Sequence, residues 1–201
     1  GASSSTSLGR YGNNLFLLSS DGTEKIGLFT VGTSSSLTVN TMSSPLSIAA
    51  LLKPVGNIYV TSSSQIYAAT TYTTGGSLRY VVRVDGANTT GNVYPVIVTE
   101  SSGQILTGVT SDDTYLYVAY YDGTDGFIKR FTLSSISTIT QLGDVLALSS
   151  GTTVVTLRNG LLGSTTFVDC FYYNSKLYVI FESTAGPTQQ LLQYDIGSLP
   201  S

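Results

Sequence analysis

The residues best suited to chemistry are carboxylates near the ends of predicted strands. The carboxylates so placed are Asp85, Glu100, Asp169 and Glu182. A pair of such carboxylates is the machinery of most glycoside hydrolases. However, the chain contains 12 acidic residues, so several reach strand ends by chance alone. The pattern therefore keeps a glycosidase or a polysaccharide lyase as an alternative and does not favour an enzyme.

Other kinds of catalysis lack the residue types that they need. The chain has no histidine, the usual base for a serine or cysteine nucleophile, and its lysines occur in no recognisable motif. Zinc sites need His and Cys ligands, and the one cysteine, Cys170, lies in the apolar run TTFVDCFYY. We predict a buried, inert thiol there, no catalytic residues, no metal and no cofactor.

The turn YDGTDG carries Asp122 and Asp125 beside two glycines. Calcium is held by loop carboxylates of this kind, but the spacing of a calcium-binding EF-hand loop is absent. Asp-Gly is also a preferred dipeptide of tight hairpin turns. We therefore predict a solvated hairpin turn and no metal site.

Charge is the most unusual feature of the composition. Only 10% of residues are charged, the net charge is −3, and the nine basic residues are spread along the chain without a cluster larger than Lys129-Arg130, so the basic surface that nucleic-acid binding requires is missing. No apolar run approaches the roughly 20 residues of a membrane span. With 41% hydrophobic residues, 14 Tyr and 7 Phe, the chain is predicted to fold.

Because the chain has no histidine and few acidic residues to titrate, we expect nearly constant melting temperatures between about pH 4 and pH 8.

The periodicity is that of strands, because β-branched and aromatic residues dominate and small polar clusters interrupt them at short intervals. In SLRYVVRV, residues 77–84, Tyr80 and Val82 share one face and Arg83 lies on the other, which predicts a half-buried strand. PLSIAALLKP, residues 45–54, is also assigned as strand. Residues 149–166 are predicted to be a connection containing one short strand.

Four segments repeat a small polar turn followed by apolar, aromatic and apolar residues. They are NNLFL, GNIYV, TYLYV and SKLYV, with Phe16, Tyr59, Tyr117 and Tyr178 as the repeated aromatic residues. Each is followed by a further strand, so each unit predicts a small antiparallel sheet. In the second unit the register is ambiguous, since QIYAA, residues 65–69, also fits the pattern.

The segment VGNIYVTSSSQIYAATT, residues 55–71, resembles the blades of NHL-like and YVTN-like β-propellers. This resemblance implies an all-β fold of about four blade-like sheets stacked around a ring. We predict one domain over residues 1–201, with units at 12–43, 46–99, 104–148 and 165–198. A β-sandwich is the main alternative, and the chain is also compatible with being a segment of a longer protein.

A meander of this kind places equivalent turns on the same rim of the molecule. We call the rim formed by turns between first and second strands rim 1, and that between second and third strands rim 2. Rim 1 is predicted to hold Asp112, Asp113, Tyr172, Tyr173 and Asn174. Rim 2 is predicted to hold Asp21 and Glu24 together with a ligand-binding set: Tyr72, Tyr120, Tyr121, Asp122, Asp125 and Glu182.

Tyrosine among small polar residues suits recognition, because its ring offers a large rigid contact with a hydroxyl group. The alternative is that these rings only fill the space between sheets.

Asn88 is the acceptor of the one glycosylation sequon, Asn88-Thr89-Thr90, and is predicted to carry a glycan if the protein is secreted by a glycosylating route.

The hydroxyl-rich, charge-poor composition favours a non-enzymatic module of an extracellular or virion surface. Its predicted partners are a cell-surface protein or glycan, or neighbouring domains of a larger assembly, with no nucleic acid and no membrane insertion. A structural scaffold and a propeller enzyme of glycosidase or lyase type remain the alternatives.

Overall fold

A computed structural model of the chain describes residues 5–20, 24–30, 38–41, 54–63, 65–70, 78–85, 92–157, 165–183 and 188–200. Most of these residues form strands arranged in four sheets, which we number in chain order. Among the described residues, all strand pairs are antiparallel except one short parallel pair in sheet 2. No helix in the described ranges is long and apolar enough to cross a membrane.

The first two sheets are built from consecutive strands joined by turns. Sheet 1 contains β1 (Ser5–Tyr11), β2 (Asn14–Ser20), β3 (Glu24–Thr30) and β4 (Thr38–Thr41). Sheet 2 contains β5 (Pro54–Val60), β6 (Ile66–Thr70), β7 (Tyr80–Asp85) and β8 (Asn92–Val98). In both sheets neighbours in sequence are neighbours in space.

The third and fourth sheets follow the same plan with small variations. Sheet 3 begins with β9 (Ile105–Ser111), β10 (Tyr115–Tyr121) and β11 (Gly126–Thr132). After a helical turn α1 (Leu133–Ile136), the short β12 (Leu146–Ala147) joins sheet 2 beside β8, and β13 (Thr152–Leu157) completes sheet 3. Sheet 4 contains β14 (Thr165–Tyr173), β15 (Lys176–Ser183) and β16 (Thr188–Asp195).

The sheets are stacked face to face, and an apolar cluster fills each space between consecutive sheets. We call the face that points to the next sheet the front face and the opposite one the back face. Phe16 and Leu18 lie between sheets 1 and 2, Leu106 and Leu116 lie between sheets 2 and 3, and Val168 lies between sheets 3 and 4. The fold is therefore an all-β, propeller-like array of four sheets.

The repeated aromatic residue identifies the second strand of each sheet. Phe16, Tyr67 and Tyr117 lie on β2, β6 and β10, are fully buried, and point to the next sheet. The expectation that Tyr59 is the repeat in the second unit is wrong, because Tyr59 lies on β5, the first strand, opposite Tyr67. QIYAA is the equivalent segment, which resolves the ambiguity in register.

The first strands of the four sheets lie side by side. The Ser7 hydroxyl on β1 donates to the Gly56 carbonyl of β5 at 2.8 Å. The Tyr172 amide on β14 donates to the Thr110 hydroxyl of β9 at 3.0 Å. These contacts join consecutive sheets through residues that are 49 and 62 positions apart in the sequence, and they hold the inner strands together.

Some sequence expectations differ from the observed elements. Strand β7 is not half-buried: both of its faces are covered, and Arg83 is only 1% exposed. Sheet 1 begins at Ser5 rather than near residue 12, and the fourth strand of sheet 3 lies at 152–157, beyond the predicted unit 104–148. Residues 45–53 of PLSIAALLKP lie outside the described residues.

Candidate functional site

The site begins with a cleft on rim 1, where turns from three sheets meet. Its volume is about 620 Å³. The end of β1, the turn between β5 and β6, the turn between β9 and β10, and the segment after β11 form its walls. The hydroxyl groups that line it belong to Thr61, Ser62, Ser63, Thr114, Thr132, Ser134 and Ser137.

The turn between β9 and β10 is stabilised by the Asp112 side chain, which accepts hydrogen bonds from backbone amides of the turn. The amides of Thr114 and Tyr115 donate to Asp112 Oδ1 at 2.9 and 2.7 Å, and the Tyr117 hydroxyl donates to Asp112 Oδ2 at 2.8 Å. Burial, together with this hydrogen bond, raises the pKa of the Tyr117 hydroxyl. Asp112 is thus used in building the turn.

Asp113 is presented to the cleft by the same turn. Its φ of 69° lies in the left-handed region, which Asp adopts more readily than most residues. Its amide donates to the Ser111 hydroxyl at 3.0 Å, and its carboxylate accepts a hydrogen bond from Tyr59 on β5. Burial and this hydrogen bond raise the pKa of the Tyr59 hydroxyl, so Tyr59 remains a donor that orients Asp113.

The turn between β5 and β6 forms the facing wall. The Gln65 amide donates to the Thr61 hydroxyl at 3.0 Å, and the hydroxyls of Thr61 and Ser63 are 2.9 Å apart. The Gln65 side-chain amide donates across the cleft wall to the Ser137 carbonyl at 3.4 Å. This hydrogen bond connects the wall formed by the turn between β5 and β6 to the wall formed by the segment after β11.

The segment after β11 contains α1, and a hydrogen bond at each end of α1 fixes its position. The Leu133 amide donates to the Thr114 carbonyl at 2.9 Å. At the other end, the Ile136 carbonyl accepts a 2.8 Å hydrogen bond from the buried Arg83 guanidinium. Arg83, which is far from the cleft in sequence, thus supports the wall that carries Ser134 and Ser137.

The side chains that line the cleft are suited to a neutral polar ligand. Asp113 is its one charged residue among those that the structure describes, and no lysine or arginine is found there. Tyr11 contributes an exposed aromatic ring. A ring beside many hydroxyl groups can cover an apolar face of a ligand while the hydroxyls exchange hydrogen bonds with its polar edge.

The residues of the ligand-binding set predicted on rim 2 differ in their surroundings, as far as the structure describes them. Tyr120 is 5% exposed and its ring stacks on Phe127, 5.0 Å between centroids, in the space between sheets 2 and 3. Tyr121 points to the opposite face and packs beside sheet 4. The two adjacent rings therefore do face opposite sides.

The remaining predicted residues have varied positions. Asp122 Oδ1 accepts the amides of Thr124 and Asp125 at 2.9 and 2.8 Å, so it caps its own hairpin turn. Glu182 lies half-buried on β15. Tyr72 and Asn88 lie outside the described residues, and their predicted roles stay predictions.

The carboxylates considered for glycoside hydrolysis lie away from the cleft. Asp85 accepts two hydrogen bonds from Arg83, each of 2.8 Å, and Glu100 accepts the Ser149 amide at 3.1 Å. Asp169 lies on the inner strand β14, where its carboxylate covers Gly108 of β9. Next to it, Cys170 is buried, and burial raises the pKa of its thiol, as expected for an inert cysteine.

Asp169 makes stability depend on pH. Burial raises the pKa of its carboxyl to about 6, against 3.8 ordinarily, although the Cys170 amide lowers it in part. The protonated form therefore stabilises the fold below about pH 4, and this contribution is lost as the pH rises through 6.

We expect the wild-type free energy of unfolding to fall by about 2 kcal/mol from pH 4 to pH 7, a loss of about 4 to 8 °C in melting temperature. The Asp169→Asn variant should show a flatter profile, and thermal melts at a series of pH values measure both. A wild-type profile that is flat, as the composition alone predicts, would show that Asp169 is solvated.

Comparisons with known proteins establish the fold and no more. No family model matches the chain, and no curated protein sequence matches it. Among solved structures, a prolyl endopeptidase shares 17% identity with a TM-score of 0.56. Prolyl oligopeptidase B from Galerina marginata shares 12% identity with a TM-score of 0.57. A GH43 glycoside hydrolase whose active site was engineered to display both endo-xylanase and exo-arabinofuranosidase activity shares 13% identity with a TM-score of 0.53.

The alignments cover 96 to 97% of this chain but only 25% of each prolyl peptidase and 38% of the glycoside hydrolase. The chain thus spans a minor part of these proteins. All three are enzymes that contain propeller-type folds, which agrees with the stacked sheets of three to five strands seen here. At these identities the likeness concerns the architecture alone.

Proposed function

We propose that the rim 1 cleft binds a neutral saccharide and that the protein is a non-enzymatic adhesion module of an extracellular or virion surface. The observation that carries this proposal is the lining: many hydroxyl groups, one carboxylate and one exposed tyrosine ring. A saccharide presents alternating hydroxyl groups and apolar C–H faces, so it can satisfy both kinds of group at once. Asp113, already oriented by Tyr59, would accept a hydrogen bond from a sugar hydroxyl.

Electrostatics favours a neutral ligand over an anionic one. The cleft has a carboxylate and no described basic residue to offset it, and the chain as a whole carries a net charge of −3. A sialic acid or a phosphate group would lose its hydration without gaining a cationic partner. We therefore expect neutral hexose- or pentose-based glycans to bind and sialylated ones to be rejected.

The test is binding of the purified protein to an immobilised set of neutral and sialylated glycans, followed by calorimetric titration with a bound glycan. Tyr11→Ala should weaken that binding about tenfold, the loss of about 1.4 kcal/mol expected for an aromatic contact residue. The matched control is Tyr173→Ala, because Tyr173 is also an exposed tyrosine but lies outside the cleft. Retention of sialylated glycans alone, or equal losses in both variants, would contradict the proposal.

Glycoside hydrolysis is a second candidate function, and Asp169 is the observation that favours it. A half-buried carboxyl with a pKa of about 6 on an inner strand has the protonation behaviour of a general acid. Incubation with xylan and arabinan oligosaccharides, with chromatography of the products, tests this function. Hydrolysis that is lost in Asp169→Asn would favour the enzyme, whereas unchanged substrates would leave binding as the function.

A further inference from the structure

The front face of sheet 4 carries several apolar side chains that no other sheet in the described part of the chain covers. Phe167, Phe171 and Ile180 are exposed, and Leu191 is 61% exposed. All lie on the side of the sheet opposite Val168, Val179 and Phe181, which fill the space toward sheet 3. The Phe171 ring stacks on Tyr178 with centroids 4.8 Å apart. Together these residues make an apolar patch across three strands, and Asp169 and Glu182 share the same face.

The repeat shows that this face is equivalent to surfaces that are buried elsewhere in the molecule. Phe16, Tyr67 and Tyr117 occupy the second strands of sheets 1 to 3, and each is fully covered by the following sheet. Tyr178 holds the same position on β15, but it is only half-buried. The fourth sheet therefore carries the feature that the other three use to receive a neighbouring sheet.

The back face of sheet 1 has the complementary character. Gly9 faces sheet 2, where an added Cβ would meet Ile58, so the neighbouring Leu8 points the other way. Leu8 is 56% exposed and pairs across the sheet with Leu17. In the interior, aliphatic back faces such as Ile58 and Val60 of sheet 2 receive the aromatic Phe16. The back face of sheet 1 thus presents Leu8 and Leu17, with the exposed Arg10 beside them on the same face.

We infer that the partner of this surface is a second copy of the chain, whose sheet 1 back face covers the sheet 4 front face. Three strands about 4.8 Å apart and about eight residues long, at about 3.3 Å per residue, give each face about 400 Å². One such junction would bury about 800 Å² in total, which is typical of crystal contacts, whereas two junctions bury about 1,600 Å², a standard stable interface.

The area therefore favours a closed pair, in which each copy covers the other at both ends. A head-to-tail contact makes a ring when its rotation closes and an open filament when it does not. Two copies contribute eight sheets, within the range of about four to eight blades found in propellers. This inference is independent of the proposed saccharide binding.

Light scattering coupled to size-exclusion chromatography, run across a wide range of protein concentration, tests the inference. We expect twice the monomer mass for the wild type. Leu191→Lys and Leu8→Lys should each shift the protein to the monomer, because a buried lysine without a partner strongly disfavours either junction. Both leucines are exposed within one copy, so circular dichroism should show that the monomeric variants stay folded.

The matched control is Leu142→Lys. Leu142 is 51% exposed and lies between α1 and β12, away from both end faces, so its replacement should leave the dimer intact. A wild-type protein that is monomeric at every concentration, an open series of larger assemblies, or a dimer that resists both end-face variants would overturn the inference.

Discussion

Replacing Arg83 with alanine is expected to lower the free energy of unfolding by about 3 kcal/mol, within the range measured for breaking buried ion pairs. The guanidinium is almost fully buried, pairs with Asp85, donates to the Ile136 carbonyl and lies 4.9 Å from the centre of the Tyr94 ring. Its removal leaves the buried Ile136 carbonyl without this donor. Urea unfolding followed by circular dichroism measures the change.

The control for Arg83→Ala is an exposed ion pair of similar length. Lys176 and Asp195 are 2.6 Å apart on the surface of sheet 4, where solvent screens the attraction. Lys176→Ala should leave the midpoint of the urea transition unchanged. Equal shifts in the two variants would mean that Arg83 is solvated in solution and does not support the wall of the cleft.

Replacing Gly56 with alanine is expected to be at least as damaging, with a loss of about 3 kcal/mol or more. Gly56 lies where β5 passes β9, and an added Cβ would lie 2.1 Å from the Thr107 carbonyl oxygen. Because that atom belongs to the backbone, the inner strands would have to separate. Its φ of 66° adds strain for any side chain.

The Gly12→Ala variant separates the steric overlap with β9 from the strain of a positive φ. Gly12 also has a positive φ, of 56°, but a Cβ there would meet no atom within 4 Å. Its replacement should cost only the left-handed strain of about 1 kcal/mol, as measured by thermal melts of the two variants side by side. Similar losses at Gly12 and Gly56 would show that β5 and β9 are not in close contact.

The fold class was predictable because the pattern that carries it is local. The aromatic residue after a small polar turn predicts Phe16, Tyr117 and Tyr178 on second strands without any knowledge of tertiary contacts. The second unit was misassigned at Tyr59 because two neighbouring strands, β5 and β6, both contain the motif. Only their pairing, with Tyr59 opposite Tyr67, distinguishes the first strand from the second.

The burial of Arg83 was not predictable from alternation alone. A strand in a sheet that packs on one side only has one solvent-exposed face. For that reason alternation alone assigns Arg83 to a solvent-facing side of the strand. Strand β7, however, belongs to a sheet that is packed between two others, so both of its faces are buried. Asp85, two residues along the same strand, was the available signal that Arg83 could be buried with a partner.

The position of Asp113 was predicted from the sequence, but a cleft on rim 1 was not. Asp113 was placed on rim 1 from the meander, and it does line the cleft. The ligand-binding set was instead chosen on rim 2, because tyrosine pairs are conspicuous there, although Tyr120 is used in packing. The serines and threonines that line the cleft come from turns distant in sequence, and no local pattern distinguishes them from the many other hydroxyl residues of the chain.

The most direct test of saccharide binding at rim 1 is a calorimetric titration of one bound neutral glycan into two isosteric variants, Asp113→Asn and Asp122→Asn. Both change an exposed turn carboxylate to an amide, but only Asp113 lines the cleft. We expect Asp113→Asn to weaken binding about tenfold or more, as for loss of a charge-assisted hydrogen bond, and Asp122→Asn to bind like the wild type. Weakening in Asp122→Asn alone would contradict the account and assign binding to rim 2.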